Sequence, residues 1–138
     1  MRQRQETLVV RTSGKGFTDL TPRIAAVVAA AGVRTGLCSV LVRHTSASLL
    51  VQENADPAVR RDLARWLARL APESDAWEHA DEGPDDMPAH ARAALLRTTE
   101  TIPVTDGGLA LGTWQAVWLV EHRTAPHVRE VVVHVLGE

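Results

Sequence analysis

The chain has 138 residues, 45% of them apolar, with 15 Lys and Arg against 17 Asp and Glu and a formal net charge of −2. That size and composition suit one domain with its own core and exclude a disordered chain, while the near-neutral charge excludes a general pull toward nucleic acid or an anionic membrane. A single cysteine, Cys38, excludes an internal disulfide, and with no secretory core and no apolar run near 20 residues the expectation is a cytoplasmic protein without a membrane partner.

Glu6 to Arg11, with Leu8, Val9 and Val10 in succession, predicts a first strand. Ser13-Gly14-Lys15-Gly16 ends it as a turn and lacks the spacing of a phosphate-cradling loop. Thr21-Pro22 opens a helix, Thr as the cap and Pro at the first position. Ile24, Val27, Val28 and Ala31 carry the helix to a left-handed stop at Gly32. Leu37 to Arg43 is the next strand, with Cys38, Val40 and Val42 on one face and His44 continuing that phase.

His44-Thr45-Ser46-Ala47-Ser48 then places an imidazole and three hydroxyls between two apolar stretches, before Leu49-Leu50-Val51 resumes the pattern. The hydroxyls can anchor a phosphate or satisfy the backbone of a turn, and His44 is the stronger functional candidate. Asp56-Pro57 opens a second helix whose apolar face is expected to be Val59, Leu63, Trp66, Leu67 and Leu70. Arg60, Arg61, Arg65 and Arg69 read as its solvated side. Acidic neighbours and the lack of interleaved aromatics argue against RNA or DNA as a partner.

From Trp77 to His90 the chain concentrates two histidines and five acidic residues, interrupted by Gly83, Pro84 and Pro88. A structural loop has no need of so many proton-transferring and metal-ligating groups, although a solvated acidic cap would also account for them. Asp86 is expected to cap a short helix through Arg97, with Met87, Ala91, Ala94 and Leu95 as its apolar side. His90, one turn on, falls over Asp86. Thr101–Val104 predicts a strand and Asp106-Gly107-Gly108 a hairpin turn. From Trp114 the chain alternates, with Ala116, Trp118 and Val120 on one face and Val117, Leu119 and Glu121 on the other. Val128 to Leu136 is the last strand, expected to pair with the one before it. His127 and His134 are read as structural imidazoles.

Several of these segments, taken in order, resemble the YjbQ family. They are His44-Thr45-Ser46-Ala47-Ser48-Leu49, Glu53-Asn54, Asp56-Pro57, Glu78-His79, Gly83, Asp85-Asp86-Met87-Pro88 and His90. Ile102, Val104, Gly107 and Gly112-Thr113-Trp114-Gln115-Ala116-Val117 extend the resemblance over nearly the whole chain. Thr99 stands where the family usually has Ser, which keeps the hydroxyl. The resemblance implies a single α+β domain of two packed, mostly antiparallel sheets with flanking helices, assembled as a homotrimer. It also implies a secondary thiamine-phosphate synthase activity, in which hydroxymethylpyrimidine diphosphate condenses with thiazole phosphate and diphosphate leaves.

On that reading His44, His79, His90 and Asp86 form the catalytic set. Thr45, Ser46, Ser48, Asn54, Thr113, Trp114, Gln115 and Arg123 bind a small phosphorylated substrate, and Trp77 or Trp114 stacks on the pyrimidine. Diphosphate departure is commonly helped by Mg²⁺, for which Asp85 and Asp86 are candidate ligands. An alternative uses His44, His79 and His90 as a three-histidine site for Zn²⁺, the signature of a metal-dependent hydrolase. No organic cofactor is expected on either reading. A third possibility is a non-catalytic trimeric ligand-binding module whose histidine–carboxylate cluster only orders a subunit interface.

Overall fold

A computed structural model describes all 138 residues. In chain order the elements are β1 (Arg2–Arg11), β2 (Gly16–Asp19), α1 (Thr21–Ala31), β3 (Gly36–Val42), β4 (Ala47–Glu53), α2 (Pro57–Leu70), α3 (Asp86–Leu95), β5 (Thr99–Thr105), β6 (Gly108–Leu109), β7 (Gln115–Glu121) and β8 (Val128–Gly137). They form a five-stranded sheet, β1-β8-β3-β5-β6, and a three-stranded sheet, β2-β7-β4, with every pairing antiparallel. This is the two-sheet α+β architecture expected. No helix is long and apolar enough to cross a membrane.

The core lies between the sheets. Val40, Val42, Val131, Val133 and Val135 project from one side and Ala47, Leu49, Val117 and Leu119 from the other, while Ile24, Val27 and Val28 of α1 join the same cluster. Alternate residues in a strand point to opposite faces, so each strand contributes its inward phase and leaves the other outside. The last two long strands do not pair with each other, contrary to the simplest expectation: β7 bonds β2 and β4, and β8 bonds β1 and β3. Their apolar phases meet face to face across the core, and residues 122–127 carry the chain from one sheet to the other.

α1 and α3 begin one residue away from the expected cap, and α2 and α3 bury faces other than the expected ones. Leu20, not Thr21, occupies the cap position of α1. Asp19 accepts the Thr21 amide at 2.9 Å, and the Thr21 hydroxyl accepts the Val117 amide at 2.9 Å, so Thr21 ties the helix to β7. α2 starts as expected, with Asp56 accepting the Ala58 amide. Of its expected apolar face, however, only Leu67 is buried, and Trp66 and Leu70 stay 47% and 48% exposed. The side turned toward the small sheet carries Arg60, whose guanidinium carbon lies 4.4 Å from the Trp118 ring centroid. α3 likewise buries Asp86, Pro88, Ala89, Arg92 and Ala93, while Leu95 is 60% exposed. Asp85, not the expected Asp86, holds the cap position of α3 and makes no capping bond, and Asp86 is the first residue of the helix.

β3 and β8 close tightly at one end, where Gly36 faces Gly137. A Cβ on Gly36 would lie 2.1 Å from the Leu136 carbonyl oxygen, so the strands can hold this spacing only without a side chain. Gly36→Ala is expected to lower stability by about 1–3 kcal/mol. Urea unfolding would show a lower midpoint with an unchanged slope, and an unchanged midpoint would mean that the strand ends spread at no cost.

Candidate functional site

The site is organised on Asp86, the first residue of α3, whose side chain is only 3% exposed. Its two carboxylate oxygens face different partners. Oδ1 accepts from Arg123 NH1 at 2.8 Å. Oδ2 lies 2.7 Å from His79 Nε2 and 3.0 Å from His90 Nε2. His90 reaches it because residues four apart on a helix share a face. His79 comes from the irregular loop before α3, where Gly83 takes a φ of 101° that few other residues tolerate. Glu82 completes the group at 3.6 Å from His79 Nε2. One donor atom from each of His79, Glu82, Asp86 and His90 lies within 4.8 Å of all the others.

Arg123, just past the end of β7, fixes this loop. Its Nε donates to Asp85 Oδ2 at 2.9 Å and its NH2 to the Glu82 carbonyl at 3.1 Å, while the Thr124 amide also donates to Asp85. Burial pushes the Asp85 carboxyl up, but these bonds outweigh it and hold the group down at about 2. For Asp86 burial again pushes up, and the bond to His79 with the charges of His90 and Arg123 again prevails, keeping it ionised. The bond to Asp86 raises His79 above its ordinary value.

The hydrogen bonding of His90 has a chemical consequence. Its Nδ1 lies 2.8 Å from the Thr45 carbonyl oxygen, which can only accept, so Nδ1 carries a hydrogen. In the neutral ring Nε2 is then a bare lone pair, and it faces a carboxylate oxygen. That contact is repulsive unless a proton or a cation lies between them. A backbone carbonyl on the far nitrogen of a histidine is also the usual support for a metal-ligating imidazole. The donor set of two imidazoles and two carboxylates suits a first-row transition cation better than Mg²⁺, which favours oxygen and water.

The remaining sequence candidates fall in three places. His44 does not join the group: its Nε2 accepts the Glu130 amide at 2.8 Å. Thr45 contributes its carbonyl, and Ser46 accepts from Arg129 through both its carbonyl and its hydroxyl. Ser48 sits in β4 rather than in a turn and pairs with His122 Nε2 at 2.9 Å. Asn54, Thr113, Trp114 and Gln115 lie at the opposite end of the β4–β7 pair, about 20 Å away at the rise of a strand. There Asn54 donates to the Thr113 and Gln115 carbonyls, Gln115 accepts the Gly112 amide, and Trp114 is 66% exposed. Asp85 and Arg123 are engaged with each other.

Two buried features went unpredicted. Arg129 Nε donates to Glu121 Oε1 at 2.8 Å, and Thr12 donates to the same oxygen at 2.7 Å. Both charged residues sit in the inward phase of valine-rich strands, a signal that was readable in the sequence. His122, the neighbour of Arg123, is 2% exposed, and burial, followed by the charge of Arg92, lowers it to about 4.

A cleft of about 310 Å³ adjoins the cluster, bounded by Trp77, His79, Gly83, Pro84 and Glu73. His79 lines this cleft with its side chain 44% exposed, and the Glu82 side chain is 66% exposed, so the cluster is open to solvent on that side.

Residues 5–138 match the family described as UPF0047 protein YjbQ-like. The chain is 58% identical over 138 residues to UPF0047 protein sll1880 of Synechocystis, covering 99% of this chain and 94% of that one. It is 40% identical over 135 residues to UPF0047 protein YjbQ of Escherichia coli O157:H7, with 97% and 98% covered. A YbjQ-like protein of unknown function from Sulfolobus solfataricus superposes with a TM-score of 0.88 at 25% identity over 99% of each chain. A conserved hypothetical protein from Thermus thermophilus does so at 0.84 and 37% identity, over 95% of this chain and 99% of that one. The chain belongs to the YjbQ/UPF0047 family.

His122 makes stability depend on pH. Between about 4 and the ordinary 6.5 the unfolded chain binds a proton that the folded chain does not, so stability falls as pH drops through that window. The contribution lost is roughly 3 kcal/mol. Urea unfolding at pH 7 and pH 4 is expected to show a drop smaller by about that amount in His122→Gln than in wild type. Equal drops would place the buried charge elsewhere.

Proposed function

We propose that this protein is a cation-assisted enzyme acting at a phosphorylated small molecule, with thiamine-phosphate synthesis as its reaction. The single observation that carries the cation is the His90 contact, where the Thr45 carbonyl behind the ring leaves Nε2 3.0 Å from the Asp86 carboxylate, a gap that only a proton or a cation fills favourably. His79, Glu82, Asp86 and His90 would hold the ion. When bound, a divalent cation there supplies a Lewis acid beside a leaving phosphate.

The chain's own groups have separate tasks. Arg123 takes one oxygen of Asp86 and so presents the other toward the imidazoles. With Nε2 on the ion, the Nδ1–H of His79 is the group left to hydrogen-bond a departing diphosphate oxygen. Trp77 supplies an aromatic wall for a pyrimidine in the adjoining cleft. In the reaction, the methylene carbon–oxygen bond to diphosphate breaks with its electron pair leaving on oxygen. The thiazole nitrogen donates the pair that forms the new carbon–nitrogen bond. Synthase activity is the reading favoured by the family resemblance, and hydrolysis of a phosphate ester is the alternative the same cluster would support.

The homotrimer belongs to the same proposal. Val9, Leu37, Leu41 and Leu136 are between 40% and 51% exposed on the outer face of the five-stranded sheet, and Trp66 and Leu70 on α2 add further uncovered apolar surface. We place the protein in the cytoplasm, in keeping with its one buried, free cysteine.

Purified protein supplied with hydroxymethylpyrimidine diphosphate and thiazole phosphate is expected to form thiamine phosphate, with loss of the activity on chelation and in His79→Ala. Arg123→Met, which removes the bonds to Asp85, Asp86 and the Glu82 carbonyl without touching the histidines, is expected to fall by about 10- to 100-fold. A wild type no faster than His79→Ala would sink the synthase reading. Calorimetric titration of the chelator-treated protein with Zn²⁺ or Mn²⁺ tests the cation without relying on turnover, and heats equal in wild type and Asp86→Asn would remove it.

A further inference from the structure

A second cavity, of about 390 Å³, lies between α2 and the outer face of the small sheet, and none of its lining residues belongs to the cluster on Asp86. Phe17, Val120 and Leu67 give it an apolar wall, while Arg60, Arg61 and Arg92 bring three guanidinium groups to it. Lys15 and Glu121 also line it, but both are engaged elsewhere. Lys15 is paired with Glu73 at 2.6 Å, and Glu121 is held by Arg129. None of the three arginines takes part in any ion pair of the chain.

Two of these arginines carry orphaned donors. Arg92 is 6% exposed, and although its NH2 donates to the Ala71 carbonyl at 2.9 Å, its Nε is buried without a partner. Arg60 NH1 is also buried without a partner, while its guanidinium rests on the Trp118 ring. Folded chains satisfy nearly all buried donors, and buried charges are almost always paired. Two arginines that line one cavity, each with an unsatisfied buried donor and no carboxylate partner, therefore point to an anion that completes them. The arginine fork matches phosphate oxygens in pairs, and the volume falls in the range of small-molecule sites.

We infer that this cavity is a binding site for a phosphorylated small molecule, with the phosphate among Arg60, Arg61 and Arg92 and an apolar or aromatic body against Phe17, Val120 and Leu67. The inference stands without the cation reading, because the residues are separate. The two sites are nonetheless joined through the backbone. His122 lines the cavity and Arg123, the next residue, holds Asp86. Likewise α3 presents Asp86 and His90 to one site and Arg92 to the other.

The test is equilibrium binding of phenyl phosphate and of inorganic phosphate to the full chain in excess chelator, where no cation can bridge them. Phenyl phosphate is expected to bind more tightly than inorganic phosphate. Its Kd is expected to rise about tenfold or more in Arg60→Met and in Arg92→Met, as for loss of a charge-assisted bond. Arg61→Gln, at an exposed position, provides a variant whose folding does not depend on a buried side chain, and it too should weaken binding. His79→Ala should leave Kd unchanged. Phenyl phosphate binding no tighter than inorganic phosphate would remove the apolar part of the site. Absence of binding to wild type, an unchanged Kd in Arg61→Gln, or loss of binding in His79→Ala would overturn the proposal. A cation that still binds when phenyl phosphate does not would separate this failure from failure of the functional reading.

Discussion

The carboxylate of Asp86 is the contact on which the rest of the site depends. It is buried at the start of α3 and shared among Arg123, His79 and His90. Through Arg123 it reaches the end of β7, through His79 the long loop before α3, and through His90 the carbonyl of Thr45 between β3 and β4. A lone buried carboxylate would protonate or draw in water; this one remains charged because its partners are charged or donate to it. Losing Asp86 would thus release three segments at once and leave Arg123 with a single carboxylate.

A second polar anchor, between Glu121 and Arg129, ties the two sheets at the same end of the molecule. Burial pushes the Glu121 carboxyl up, and the bonds from Arg129, Thr12 and the Arg123 amide hold it below its ordinary range. Buried pairs of this kind contribute little net stability compared with apolar packing, but breaking one strands a charge. Their value here is positional. Glu121, His122 and Arg123 are consecutive, and they face respectively the inter-sheet pair, the α2 cavity and the Asp86 cluster. Three neighbouring residues at one strand end thus set the geometry of three different environments.

Much of the fold was legible because strand alternation and helix starts are local signals. Val40 and Val42, Val117 and Leu119, and the Asp56-Pro57 helix start all behave as their patterns imply. The pairing of β7 and β8 was not legible, since period-two alternation states which side of a strand is apolar and not whether two such sides meet edge to edge or face to face. The helix faces misled for a different reason. α2 turns Arg60 inward and leaves Trp66 and Leu70 out, and α3 buries Asp86 and Arg92, so charged residues occupy places where pattern reading expects leucine.

Within the site, His79, Asp86 and His90 could be read from their density in the sequence, and the helical spacing of Asp86 and His90 survives in the structure. Glu82 as a fourth donor and the Thr45 carbonyl behind His90 depend on loop geometry that no spacing rule supplies. His44 was grouped with His79 and His90 in sequence, yet its ring is turned to the Glu130 amide. The most direct measurement is anomalous X-ray scattering from crystals of chelator-stripped protein soaked in Zn²⁺. The account predicts a peak about 2.0–2.2 Å from His90 Nε2 and from an Asp86 oxygen. Zn²⁺ found only on other histidines, with His90 and Asp86 free of density between them, would contradict it.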